Sequence, residues 1–549
     1  MPRPPPASDP LGVAQAVLDL DPGAGVDAVT GAYEAALGQD GGRRRALGAF
    51  YTPAPVVEHL LDLTLEPVLA RTAPADLPRL RVGDPTCGAG HFLLGAWRRL
   101  HHHLVRAGHP APASAAAGCL VGSDIDADAL VLADQLIRRA SGGAPAALRL
   151  ADSLLEHGPA LDVVVGNPPF LNQLESATTA TRGRVETLKR RFPGAVSAYT
   201  DPAWLHLLAA LAQLRPGGRL GLVQPRSLVA ARDAAVVRQD LATRATVCAL
   251  WDGGRVFPGV SVQVVGIVVE ARPPDRRQVQ VSVGLPPRSA PPERSPDGAA
   301  WAPLLPAPPD LPRLPAGALD QPGATILADH ATSAGDFRDE YYGLVPHVVD
   351  RADADERAFP RLITTGYVDP GASGWGLRDT RFARQAWRHP RVDRVGLSAD
   401  PRMAAWAARR LRPKVLVATQ TRAIEAVVDQ EGTWLTVTPL LSLYPHRPDR
   451  IWHVAAALCS PVATSWAHQH HGGAALSRDT LKLSAAQLLT VPVPPAGLAW
   501  DLAADALARA HAHPAERRDA LHAAGRHMLA AWGLPEGALF DGWWRRLGV

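Results

Sequence analysis

A chain of 549 residues, 47% hydrophobic and 20% charged, is long enough for two to four globular domains and has no apolar run approaching a membrane span. Its Pro-rich start, Met1–Pro10, does not read as a signal peptide, and four scattered cysteines without a CxxC pair exclude a disulfide framework or zinc site and suit a cytoplasmic protein. The net charge of +4 points only weakly to a polyanionic partner, because Lys189, Lys414 and Lys482 are the sole lysines and arginine is used heavily throughout.

In chain order, residues 1–45 read as a polar leader with one helical stretch, Val13–Leu37, broken at Asp21-Pro22-Gly23. From Thr52 strands and helices alternate. Helices are predicted over Pro55–Leu69, His91–Leu104, Asp128–Arg139 and Trp204–Leu214. Strands are predicted over Leu80–Asp84, Leu120–Asp124, Leu148–Leu150, Leu161–Gly166, Arg219–Gln224, Val247–Trp251 and Val262–Val269. Leu161-Asp-Val-Val-Val-Gly166 is apolar enough to be buried on both faces. This alternation specifies a doubly wound, mostly parallel α/β domain over 46–272. Residues 273–323 are Pro-rich and read as a linker. A mixed α/β domain follows over 324–497, with β-like runs at Lys414–Ala418 and Trp434–Val437 and helices near Trp452–Cys459 and Ala485–Leu489. An Ala-rich helical tail, 498–549, ends the chain.

Acids stand at the ends of successive predicted strands. Asp84-Pro-Thr-Cys-Gly-Ala-Gly90 closes the first strand and opens a helix, so its glycines let backbone approach a ligand where open sheets bind one. Asp124 ends the second strand, where a carboxylate can accept from ribose hydroxyls, and Asp152 follows the third. No GxGxxG or GxxxxGK[ST] is present, which disfavours a pyrophosphate or triphosphate ligand. Asn167-Pro-Pro-Phe170 directly follows the fourth strand. Its prolines fix the backbone and remove two N–H donors. They hold the Asn167 oxygen and the Pro168 carbonyl as convergent acceptors for one NH₂ group, while Phe170 offers a face to a planar ring. Alone, such a turn is only a rigid corner; in register with the upstream acids it points to chemistry on an amine. His101-His102-His103 does not read as metal-binding, because adjacent helical residues share no face.

The set Gly48–Pro53, Asp84–Phe92, Asp124-Ile-Asp126, Ala151-Asp152-Ser153 and Asn167–Phe170 resembles the N6-adenine DNA methyltransferases of the gamma arrangement, TaqI-like enzymes and the methylase part of fused restriction–modification proteins. The resemblance is strong over about residues 45–270. It implies a Rossmann-like domain using S-adenosyl-L-methionine and no metal. By motif match, Thr52, Asp84, Pro85, Cys87, Gly88, Gly90, Asp124, Ile125, Asp152 and Ser153 would line the cofactor. Asp124 would hold its ribose, Ile125 would pack on its adenine and Asp152 would bond the adenine N6. Asn167, Pro168, Pro169 and Phe170 would carry the target base, with Phe170 standing where tyrosine is common in the group. Phe257, in Val256–Val265, matches the position of a second stacking aromatic.

A target nitrogen inside a base pair requires base extrusion and a second surface to grip duplex DNA. Arg378–Lys414 carries eleven Lys/Arg against three Asp. Arg384, Arg388, Arg391 and Lys414 are its candidate DNA-binding residues, and the domain is expected to recognise the target. The expectation is a site-specific adenine-N6 DNA methyltransferase of restriction–modification or phage defence, acting as a monomer on double-stranded DNA, with a separate restriction nuclease or defence subunit as an open partner. Competing readings are the same chemistry on RNA adenine or protein glutamine, and a non-catalytic DNA-binding subunit.

Overall fold

The computed structural model describes residues 11–14, 16, 29, 32–33, 52–170, 179–197, 200–257, 262–275, 278–296, 298–335, 338–473, 475, 477 and 479–548. Most of the expected leader helix, and Gly48–Tyr51 of the first motif, lie outside them. The chain divides into two compact units, Met1–Pro306 and Ala307–Val549. Among the described residues no helix is long and apolar enough to cross a membrane.

The first unit opens with α1 (Ala54–Thr64) and α2 (Glu66–Arg71). These replace the single helix expected over Pro55–Leu69. Pro67 stands in the first turn of α2, where its missing N–H breaks no bond; continuing α1 through it would lose a rung and clash. The alternation then runs β1 (Val82–Asp84), α3 (His91–Arg106), α4 (Pro112–Gly118), β2 (Leu120–Asp124), α5 (Ala127–Ser141), β3 (Ala147–Leu150) and β4 (Leu161–Gly166). After it come α6 (Thr179–Arg191), α7 (Pro202–Gln213), β5 (Leu214–Pro225), α8 (Ala235–Arg244), β6 (Thr246–Gly254) and β7 (Val264–Glu270). The three histidines lie within α3; His101 stacks on Trp97 and His103 meets Glu66 at 3.1 Å.

With β8 (Gln278–Val283) and β9 (Arg288–Arg294), one nine-stranded sheet runs in the order β3-β2-β1-β4-β5-β7-β6-β8-β9. β3 through β5 are parallel, and β7 is antiparallel to both β5 and β6. Alternation along β4 shows why helices cover both faces. Val163 and Val165 join one core with Val57, Leu93 and Leu136, while Val164 joins the opposite core with Leu207 and Val237. The architecture is a Rossmann-like, doubly wound α/β unit.

Residues 273–323 are not a linker. They carry β8 (Gln278–Val283) and β9 (Arg288–Arg294), which extend the sheet, and Trp301, Leu304 and Leu305 are buried in its core. The prolines misled because Pro286-Pro287 falls in the β8–β9 turn and Pro291-Pro292 on an edge strand, where missing donors cost little.

The second unit holds two four-stranded sheets. One orders β10 (Ala331–Gly335), β17 (Leu441–Pro445), β14 (Lys414–Ala418) and β15 (Glu425–Asp429). The other orders β11 (Val348–Asp350), β13 (Pro390–Val392), β12 (Arg361–Ile363) and β16 (Trp434–Thr436). Between β13 and β14 in sequence lies α9 (Pro401–Arg410), and the helices α10 (Ile451–Leu458), α11 (Pro461–His471), α12 (Leu498–Ala512), α13 (Arg517–Ala531) and α14 (Ala538–Leu547) complete the unit. The last three are no separate tail. Trp500, Leu507 and Leu521 share one core with Val415, Leu443 and Leu458, and Phe540 and Trp543 share another with Leu311 and Val462.

Candidate active site

The chain order reverses between β1 and β4: from β1 the sheet proceeds outward through β2 and β3, from β4 through β5. Such a switch point leaves a crevice at the strands' carboxyl ends. Register aligns Val82 with Val163 and Gly83 with Val164, so Asp84 and Asn167 both lie at the carboxyl ends of adjacent parallel strands. Gly166 makes the approach possible. A Cβ there would lie 2.6 Å from Oδ1 of Asp84. Asp84 is only 2% exposed and accepts from the Thr86 N–H at 3.0 Å. Burial, with Asp124 nearby adding repulsion, pushes its carboxyl up to about 8.

Gly88 takes φ +50, a conformation that favours glycine. Its N–H donates to Oδ2 of Asp124 at 2.7 Å, and the Asp126 N–H donates to Oδ1 at 2.9 Å. Burial raises the Asp124 carboxyl while these donors oppose it. Beside it, Ile125 is 53% exposed, an apolar face open at a strand end. Pro85 accepts from Ser123 through its carbonyl, Cys87 is buried, and Gly90 caps α3. These residues surround the crevice from the β1 side.

The third acid is differently placed. Asp152 accepts from the Leu154 N–H at 3.0 Å and pairs through its other oxygen with Arg184 of α6. Ser153 turns inward: it is 6% exposed and bonds Nδ1 of His206 at 3.2 Å, a ring whose pKa burial pushes down to about 4. Ser153, expected on the cofactor surface, is thus buried and held by His206.

At β4's end, the Asn167 amide is oriented by one bond. Its Nδ2 donates to Oγ1 of Thr52 at 3.0 Å, and Thr52 is 5% exposed. That bond leaves Oδ1 buried with no hydrogen-bond partner among the described residues. Such an acceptor costs about 1–3 kcal/mol in a folded protein, so it calls for a function. Pro168 is buried, Pro169 half-buried, and Phe170 only 1% exposed. Phe257 meets Phe170, with ring centroids 5.8 Å apart and planes at 49°. The rings rest on each other, leaving no room for a base between them.

Three residues near the site were not singled out from sequence. Arg184 sits in the basic run Arg182–Arg191, which follows the NPPF motif closely enough to have drawn notice. His206 was a lone histidine in an apolar helix, with no local signal. Gln224, near the end of β5, is fully buried with neither amide atom partnered among the described residues. Among these residues, too, no group of three His, Cys, Asp or Glu is placed to hold a metal ion.

The four candidate DNA-binding residues divide evenly. Arg384 is exposed at a hairpin tip, and Arg388 is exposed though paired with Asp379 at 3.2 Å. Arg391 and Lys414 cannot meet phosphates. Arg391 spends its guanidinium on the carbonyls of Arg351, Phe359 and Ala352. Lys414 is fully buried, donates to the Trp434 carbonyl at 2.8 Å and pairs with Asp429. A charge inside a sheet is tolerated only with such partners.

Residues 24–281 match the family described as N-6 DNA Methylase. The match covers just under half of the chain. A 57-residue stretch is 42% identical to the adenine-specific methyltransferase PglX of Streptomyces coelicolor, covering 10% of this chain and 4% of PglX. The fold is similar to that of the type IIL restriction–modification enzyme MmeI, solved in complex with DNA: TM-score 0.52 and 14% identity over 92% of this chain and 80% of MmeI. Against a type I restriction–modification methyltransferase subunit from Streptococcus thermophilus the TM-score is 0.35 at 21% identity, over 49% of this chain and 54% of that one. The chain thus spans about half of that subunit and a small part of PglX. The matched segment contains every crevice residue above.

Proposed function

We propose that the chain is an S-adenosyl-L-methionine-dependent methyltransferase acting on the N6 of adenine in duplex DNA. The observation that carries this reading is the Asn167 amide, pinned through nitrogen and left with a buried, unpartnered oxygen. The cofactor supplies a methyl group already activated on a sulfonium. Asp84, Asp124 and Ile125 would hold its amino, ribose and adenine parts, the first because a buried carboxylate gains most from a cationic amine. Oδ1 of Asn167 and the Pro168 carbonyl would draw the two hydrogens of an exocyclic amine and turn its lone pair toward the methyl. Positioning and fixed dipoles, rather than a strong base, then carry the rate. Phe170 and Phe257 would part to stack a flipped base, offsetting an unstacking cost of a few kcal/mol. The second unit would grip and read the duplex, and the setting would be restriction–modification, with a separate nuclease as partner.

The test is expression in a methylation-free host, with single-molecule sequencing of its DNA beside an Asn167→Ala control. N6-methyladenine at one recurring sequence, absent with the variant, is the expected result. Unmodified DNA from a host whose purified enzyme binds S-adenosylhomocysteine would end the DNA reading and leave an RNA or protein amide as substrate.

A further inference from the structure

Having lost Arg391 and Lys414 to the interior, the second unit needs another grip on an anion, and the structure offers one. A cleft of about 390 Å³ is walled by β10, by the end of β17 and by the end of α9 with the residues after it; Thr332, Arg409, Arg410, Arg412 and Tyr444 line it. Thr332 and Tyr444 are directly opposed across β10 and β17, so their side chains leave the sheet on the same face. Arg409 and Arg412 are exposed, and among the described residues no carboxylate pairs with either. Arg412 lies over the Tyr444 ring, 3.8 Å from its centroid, which holds its guanidinium in place without neutralising it. Tyr444 itself is 94% buried, since 6% is exposed, and its hydroxyl has no partner among the described residues.

Compensation of the α9 dipole explains basic residues in its last turn, Arg409 and Arg410. It does not explain Arg412, which lies beyond the helix, nor an orphaned phenol in the same wall. Planar guanidinium forks with hydroxyl donors beside them match the oxygens of a phosphate diester.

We infer that this cleft binds a backbone phosphate of duplex DNA, with Arg409 and Arg412 pairing its oxygens and the Thr332 and Tyr444 hydroxyls donating to them. The inference rests on the proposed DNA reading and gives it a fixed anchor: a contact that sets register without reading sequence.

The test measures binding of a fluorescent 30-base-pair duplex by the full chain across a salt series, for the parent, the Arg409→Gln/Arg412→Gln pair and Tyr444→Phe. Glutamine keeps much of each stem, and both arginines are exposed, so the fold should stand; an unchanged Tm and S-adenosylhomocysteine affinity confirm it. The expected result is about a tenfold loss of affinity in the double variant, equal on unrelated sequences. The slope of log affinity against log salt should shrink by about one, the signature of one phosphate lost. Tyr444→Phe should lose about threefold. Parent-like affinity and slope in the double variant, with adenine methylation intact, would overturn the cleft and leave the methylase reading standing. A parent chain that binds no duplex at all would overturn both. Tight binding of inorganic phosphate without duplex binding would assign the cleft to a free anion and overturn its DNA role.

Discussion

The two units were read from sequence with unequal success, and the difference lies in how each places its chemistry. In the first unit a functional residue sits at a strand's end by virtue of its position along the chain: Asp84 closes β1, Asp124 closes β2 and Asn167 follows β4. Parallel register then brings them together without further information. In the second unit the candidates were chosen by charge density, and density along a chain says nothing about which side chains face outward. Arg391 and Lys414 lie in β13 and β14, strands buried along their whole length, while exposed Arg409 and Arg412 lie at a helix end and in a loop.

The sharpest way to break this contrast is at Lys414. If its charge serves the fold, removing its partner should cost stability and spare DNA binding. Asp429 pairs with Lys414 and also accepts from the backbone N–H of Thr433 and Trp434, each at 3.0 Å. Asp429→Ala leaves a buried ammonium uncompensated, a loss of about 3–5 kcal/mol. Urea unfolding of the full chain should show an early transition for the second unit. Whatever folded protein remains should keep the parent's salt slope on duplex DNA. A variant as stable as the parent but weakened on DNA would put Lys414 back at the interface.

Legibility followed the same line within the first unit. The sheet, its helices on both faces and the crevice could be read because buried strands such as Val163-Val-Val165 and turn glycines are local signals. What could not be read depends on distant partners. Ser153 lies next to Asp152 in the sequence, yet its direction is set by His206, fifty-three residues away. The strands in 278–294 were hidden because proline counts as a breaker unless one knows that it falls on an edge. Phe170 and Phe257 were each read as a face for a target base, and their contact with one another was not foreseen.

A second effect, of intermediate size, comes from Asp84. Burial pushes its carboxyl up to about 8 in the folded protein, from an ordinary 3.8. The stability it lends is whole below pH 4 and is lost as pH rises through about 8. A cationic cofactor amine reverses that preference, because it favours the ionised form and must expel the proton. Affinity for S-adenosylmethionine should therefore fall as pH drops below 8, by up to about tenfold per unit, with one proton released on binding at pH 7. Calorimetry in buffers of differing ionisation enthalpy measures both quantities. Asp84→Asn should bind weakly with no proton release; a flat profile in the parent would move the amine away from Asp84.

The smallest effect concerns Asp152, which unlike Asp84 and Asp124 is drawn into an ion pair. Asp152 would have to exchange Arg184 for the cofactor's adenine amine, so the ion pair competes with the ligand. Arg184 is 39% exposed and Asp152 17%, which keeps the pair modest, about 0.2–1 kcal/mol once solvent screening is counted. Arg184→Ala should accordingly bind S-adenosylhomocysteine about two- to fivefold more tightly, with the gain fading in high salt because salt already weakens the parent's pair. Should the variant bind more weakly at every salt concentration, Arg184 would be a ligand-holding residue rather than a competitor. Asp152 would then serve to orient it, much as Asp429 serves Lys414.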